Sequence, residues 1–192
     1  MAKESEFVSQ AQDLVKTGLG NQQTLEVRRG APLLYQVTVD NKLNVMSSDK
    51  VRNPKRGDSA FQTDLCVFEI TPSDVWLPRV VLEFKTSVST HDVLTYSTKA
   101  AKHKQIYPYL RYGMIAEKES QVPGRFFTHN EGMDFFLSLD GLSLSEKNDA
   151  LMGLVRQELA ASKALEDVAF GSRCTRLYRT EIVLSDISSA PC

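Results

Sequence analysis

The stretch Arg79-Val80-Val81-Leu82-Glu83-Phe84-Lys85-Thr86 decides how the rest of the chain is read. Its continuous apolar, β-branched run, entered after Pro78 and left through Thr86 and Ser87, predicts a buried strand. Glu83 and Lys85 interrupt that run. Side chains alternate faces along a strand, so these two point the same way, while Leu82 and Phe84 point into a core. An acid and an ammonium buried side by side cost free energy unless something requires them. The preceding run, Phe61 to Ile70, also reads as a strand, with Asp64 inside it. The connection from Thr71 to Leu77 holds Pro72, Ser73 and Asp74 and has the length of a hairpin or meander. The two strands are therefore expected to be antiparallel neighbours, with Asp64 facing Glu83. Two carboxylates and a lysine at one spot suit Mg²⁺, a hard cation that takes oxygen ligands and keeps several waters. The lysine can orient or deprotonate an attacking water and offset negative charge in the transition state. The competing reading is a structural ion pair between Glu83 and Lys85 on a half-exposed strand.

Asp64 followed by Glu83-Phe84-Lys85 on the next strand resembles the D…(D/E)-x-K signature of the PD-(D/E)xK, or restriction-endonuclease-like, nuclease superfamily. The next segment, about Asp92 to Leu110, reads as a helix and contains Gln105-Ile106-Tyr107-Pro108-Tyr109. That resembles the Q-x-x-x-Y element found after the catalytic strand in one exonuclease branch of the superfamily. The order strand, strand with Glu-x-Lys, helix, strand (Tyr112 to Ala116) also fits the family core. The resemblance covers about Leu33 to Ala116. Thr63 stands where many members have proline, at a position that varies widely. A second acid-x-lysine triplet, Asp40-Asn41-Lys42, lies in a turn, so the specificity comes from the hydrophobic strand around Glu83 and Lys85.

The resemblance implies an α/β domain with a restriction-endonuclease-like core, a central mixed β-sheet flanked by helices. It implies Mg²⁺-dependent hydrolysis of phosphodiester bonds in DNA. Asp64 and Glu83 would hold the metal, the Phe84 carbonyl would add a ligand, and Lys85 would work on the water. Gln105 and Tyr109, spaced to share a helix face, would contact DNA or support the site. Members often carry a glutamate on a helix before the sheet, and Glu4, Glu6 and Glu26 are the candidates here, with nothing in the sequence to select among them. A type II restriction endonuclease or related defence nuclease is the first choice. A repair, recombination or mobile-element nuclease is the alternative, and a non-catalytic nucleic-acid-binding or assembly module is the reading from another class.

The length, 192 residues, suits a single domain, with the core motifs at 33–116 and strands and a helix over 126–184 as elaboration. Net charge is −1, so any nucleic-acid contact must use locally arranged basic residues rather than bulk charge. The loop Ser47 to Asp58 supplies Lys50, Arg52, Lys55 and Arg56 just before the Asp64 strand, a sensible place to hold a phosphate backbone. Lys99, Lys102, His103 and Lys104 crowd the middle of the following helix; Lys102 is a candidate DNA contact and His103 is expected on the surface or facing phosphate. Cys66, Cys174 and Cys192 form no metal-binding spacing, a reduced, intracellular pattern that points to the cytoplasm. The opening residues lack a leader's apolar stretch, and no run is long enough to cross a membrane.

The remaining expectations are local. Glu4 to Lys16 reads as an amphipathic helix, and Leu33 to Val39 as the first strand with Leu43 to Met46 as its hairpin partner. Thr90 or Asp92 is expected to cap the central helix. Phe126 to Thr128 and Met133 to Leu139 read as short strands. Leu142 to Leu165 holds a second good helix capped by Ser143 or Ser145, and Leu177 to Leu184 reads as a last strand. Double-strand cutting at a symmetric sequence needs a two-fold dimer, so a homodimer is expected, through Phe126 to Leu139 or the helix from Ser145.

Overall fold

The computed structural model describes residues 2–20, 24–46, 59–171 and 176–184. Its centre is the pair β6 (Leu65–Ile70) and β7 (Trp76–Lys85), antiparallel and joined by a turn in which the Thr71 and Asp74 N–H groups donate to the Val75 and Thr71 carbonyls. Leu65 pairs with Leu82, so the register puts Asp64 level with Glu83. β1 (Leu25–Arg29) adds antiparallel to β6, while β8 (Arg111–Ala116) adds parallel to β7 and β9 (Phe135–Ser138) parallel to β8. The result is a mixed sheet in the order β1-β6-β7-β8-β9. A parallel pair needs a crossover, and α2 (Thr90–Ile106) supplies it between β7 and β8.

Alternation sorts the strands into two cores. Leu65, Val67, Val80, Leu82 and Phe84 pack against α1 (Ala2–Leu19) and α4 (Leu144–Phe170). Cys66, Val81, Tyr112 and Met114 pack beneath α2 and the short α3 (Gly124–His129). Helix starts follow side-chain chemistry. Ser89 Oγ accepts from the Asp92 N–H and the Asp92 carboxylate accepts from the Ser89 N–H, a reciprocal cap on α2. Ser143 and Glu146 do the same for α4.

A second pairing, β2 (Pro32–Leu34) with β5 (Ala60–Gln62), forms its own small sheet over α2. A short hairpin, with Asp40 to Asn44 as its loop, pairs β3 (Thr38–Val39) with β4 (Val45–Met46). The ribbon bends where it passes from the main sheet to the small one. On one side the bend is Gly30, at φ 61°, a conformation that glycine tolerates best. On the other it is Thr63 and Asp64, held by a Thr63 hydroxyl bond to the Ala31 carbonyl (2.9 Å) and by the Gly30 N–H on the Asp64 carbonyl (3.2 Å).

Several expectations are corrected. The first strand of the main sheet is Leu25–Arg29, which the sequence pattern does not announce; the expected strand Leu33 to Val39 is two short pieces in separate sheets. The expected single strand Phe61 to Ile70 breaks at the bend. The cap of α2 is Ser89, and Phe126 to Thr128 lie in a helix. Leu177 to Leu184 form no strand and are exposed. Among the described residues no helix is long and apolar enough to cross a membrane.

Candidate functional site

The end of the sheet where β7 finishes gathers the predicted acids. The bend takes Asp64 off the ladder, and its carboxylate replaces the next rung: Asp64 Oδ2 accepts from the Phe84 N–H at 2.8 Å. In return the Asp64 N–H donates to Glu83 Oε2 at 3.3 Å. Each carboxylate is thus aimed by the backbone of the other's strand. Glu83 is 1% exposed, and its Oε1 accepts from the Tyr112 hydroxyl at 2.5 Å. Burial, then the Asp64 charge, pushes Glu83 up to about 8, against the opposing pull of the Lys99 ammonium and the Tyr112 hydrogen bond. Tyr96, on the α2 face above, is pushed up to about 12 by burial and by Glu83.

Lys85 lies at the mouth of this arrangement. Its ion pair among the described residues is with Glu4 of α1, Nζ to Oε1 at 2.7 Å, and not with Glu83. The Tyr96 ring is 5.3 Å from Nζ. Partial burial pulls the ammonium down, but hydrogen bonds to Glu4 and Tyr96 outweigh it, and the net shift is upward. Of the three glutamates that the sequence leaves open, the structure brings Glu4 to the site. Glu6 is exposed, and Glu26 pairs with Phe68, toward the far end of the strands.

Phe84 keeps its backbone at the site, with its N–H on Asp64 Oδ2, while its ring turns into the core, edge-on to Phe7 at 5.0 Å. The residues predicted to contact DNA separate. Lys102 is exposed, 5.6 Å from the Tyr35 ring. Gln105 is exposed in the last turn of α2. Tyr109 lies past the end of that helix, so the two do not share a helix face; it is 6% exposed, beneath the Arg79 guanidinium at 5.1 Å. His103 is fully buried rather than on the surface, donates from Nδ1 to the Leu34 carbonyl at 2.8 Å, and is held down near 4 by burial. Arg52, Lys55 and Arg56 lie outside the described residues.

Sequence reasoning missed Tyr96 and Tyr112. Tyr112 meets Glu83 only through the parallel register of β7 and β8, which pairs Val81 with Tyr112, and no spacing within the sequence announces that register.

Among the described residues no group of three or more His, Cys, Asp or Glu side chains is placed to hold an ion, so the donor set here is the Asp64–Glu83 pair. A pair of hard carboxylates suits a cation that retains most of its water, as Mg²⁺ does. Two acids forced together, one of them buried, are also the arrangement that a divalent cation relieves. No protein-family model matches the chain, and no curated protein matches it.

Proposed function

We propose that the chain is a metal-dependent deoxyribonuclease with a restriction-endonuclease-like core, most simply a type II restriction endonuclease or a related defence nuclease, with repair or recombination nucleases as the alternative roles. The observation that carries this reading is Glu83: a buried acid, pushed up to about 8, facing a second carboxylate at a sheet end beside a lysine. The order strand, strand ending in Glu-x-Lys, crossover helix, parallel strand supports it further. A structural Glu83–Lys85 pair is the weaker reading, because Lys85 pairs with Glu4 instead.

Asp64 and Glu83 would hold Mg²⁺, which supplies charge neutralisation at phosphate and a lowered pKa for its bound water. Tyr112 and the Asp64 N–H each hold one oxygen of the Glu83 carboxylate, which fixes it beside Asp64. Lys85 keeps its proton, since its surroundings favour the ammonium, and so acts as a donor that orients water and offsets charge rather than as a base. Glu4 holds that donor in place. A homodimer would bring two such centres to opposite strands of a duplex. Light scattering on free and DNA-bound protein tests the dimer, and a monomer in both states would rule it out.

The activity is tested with purified protein on linear duplex, circular duplex and single-stranded DNA, with and without Mg²⁺, and with product ends mapped. Metal-dependent cleavage is expected. No cleavage of any substrate, with binding retained, would return the chain to the class of non-catalytic nucleic-acid-binding modules.

A further inference from the structure

Rings and lysines alternate along α2 and the small sheet, starting at the candidate site. Lys85 Nζ lies 5.3 Å from the Tyr96 ring, and Lys99 Nζ lies 4.8 Å from the same ring. Lys99 also stands 5.9 Å from the Phe61 ring. Phe61 is stacked on Tyr35, centroids 4.0 Å apart and planes 18° apart, and Lys102 stands 5.6 Å from Tyr35. Tyr35, Phe61, Tyr96 and Lys99 are all part-exposed, and Lys102 is exposed. Lys99 and Lys102 form no ion pair with the described residues, whereas Lys104, one turn on and facing away, is paired with Asp134.

This pattern has a specific chemistry. A half-exposed ring offers a face to a base, and a lysine beside it offers a charge to the adjoining phosphate; together they suit unpaired strands, whose base faces are open. A duplex hides those faces in its stack. The spacing is helical: Tyr96, Lys99 and Lys102 recur at i, i+3, i+6, so one side of α2 carries them. Lys99 is also close enough to Glu83 to pull its acidity, which joins the strip to the carboxylates.

We propose that the strip Tyr96–Lys99–Phe61–Tyr35–Lys102 is a track for single-stranded DNA leading to the Asp64–Glu83 pair. The track rests on the nuclease reading for its direction and purpose, within which it favours the repair or recombination alternative over a duplex-cutting restriction enzyme, but the binding itself does not require cleavage.

The test is fluorescence anisotropy in EDTA, comparing an oligothymidine strand with a hairpin duplex of matched length. Wild-type protein is expected to prefer the single strand by about 10-fold, the scale of stacking one base on a ring. Tyr35→Leu keeps an apolar cover over the small sheet and is expected to lose most of that preference. Lys102→Ala, on an exposed side chain, is expected to leave the melting temperature unchanged and flatten the salt dependence on single strands by about 0.7 in slope. Duplex bound as tightly as single strand, or an unaltered salt slope in Lys102→Ala, would overturn the track. Cleavage assays run in parallel separate the two ideas. Mg²⁺-dependent cutting without single-strand preference would remove the track and keep the nuclease. Single-strand preference lost in Tyr35→Leu, with no cutting by any form, would keep the track and remove the nuclease.

Discussion

The two ends of the central sheet treat charge in opposite ways. Where β7 and β8 begin, every buried charge has a counter-charge. Arg79, 3% exposed, donates to Glu69 at 2.9 Å and to Glu166 at 2.5 Å, and Lys163 also reaches Glu69. Arg111 bridges Asp134 and Glu158, and Lys104 shares Asp134. Where β7 ends, Asp64 and Glu83 face each other, and the nearest strand lysine has turned to Glu4. The first end is matched for stability; removing a partner there leaves a buried charge alone. The second end buries one acid beside another, so that Glu83 is held protonated at a cost in stability, and such a cost at a sheet end marks a candidate functional site.

The sharpest way to break this contrast is mutation of the acidic end. Asp64→Asn is expected to reduce cleavage by at least about 10²-fold, the scale of losing one group that stabilises developing charge. The same change is expected to hold the melting temperature of metal-free protein near neutral pH and to raise it above about pH 8, where Glu83 is charged and one of two crowded like charges disappears. Lys85→Ala is expected to reduce turnover similarly while permitting DNA binding in Ca²⁺, and the double variant should cost little more than either alone if the residues act as a unit. Melting curves with and without Mg²⁺, beside a plasmid-cleavage assay, check this. A badly destabilised Asp64→Asn protein would make the acidic end structural.

The opposite end should respond the other way. Arg79→Ala leaves Glu166 without its partner and Glu69 with Lys163 alone; both glutamates are part-exposed, so the expected loss is about 1–3 kcal/mol. For a chain of this size that lowers the melting temperature by roughly 5 °C. Calorimetry without metal reads it, and a shift as small as a surface pair's would mean that α4 relaxes and solvates the glutamates.

The next effect is pH dependence. Folded Glu83 keeps its proton to about pH 8, while the unfolded side chain releases it near 4.5. Between those values the folded state binds more protons, so metal-free stability falls as pH rises through the window and is flat above it. His103 works with the opposite sign at lower pH: its folded value is about 4 against 6.5 unfolded, so stability is lost as pH falls between them. From about pH 7 to 8 the Glu83 effect outweighs that of His103, whose unfolded side chain is then largely neutral, and is worth about 1.36 kcal/mol per unit at most. Melting temperature should decline across that interval in wild type and stay level in Glu83→Gln or at saturating Mg²⁺. An equal decline in Glu83→Gln would assign the slope to another group.

The same two ends explain what the sequence could disclose. The apolar run of β7 with its two charges was legible because alternation acts locally, and the length of the turn made Asp64 and Glu83 neighbours. Phe61 to Ile70 looked like one strand because apolar pattern does not record which sheet a residue joins. The bend depends on the partner strand, through Gly30 and the Ala31 carbonyl. Phe126 to Thr128 read as strand from its aromatics, yet packing of Phe126 against Phe136 and α2 favours a helical turn. His103 looked like part of a basic helix face, but the small sheet that buries it is built from Pro32–Leu34 and Ala60–Gln62, both distant in the chain. The ion pairs of the matched end were equally hidden, because Arg79 and Glu166 are distant in the chain and meet only when α4 lies along β7.

The smallest expected effect falls on Glu4, which separates holding a charge from using it. Its pair with Lys85 is part-exposed, 31% and 20% for the two side chains, so water screens most of the attraction. Glu4→Gln should therefore change stability by less than about 1 kcal/mol, within the range of surface pairs. It keeps a hydrogen-bond acceptor of nearly the same shape, so α1 has no reason to move. The charge beside Lys85 is nevertheless gone. Glu4 is one of the groups that hold the ammonium above its ordinary range, so its loss lowers the pH at which Lys85 gives up its proton. If Lys85 works as a charged donor, the alkaline limit of the cleavage profile should move to lower pH in Glu4→Gln, with a rate near pH 7 reduced about tenfold or less. Rescue by Glu4→Asp, with its shorter reach, should be partial. A profile that keeps its alkaline limit while the melting temperature drops by several degrees would instead make Glu4 a fastener of α1 to the sheet, and Lys85 its anchor.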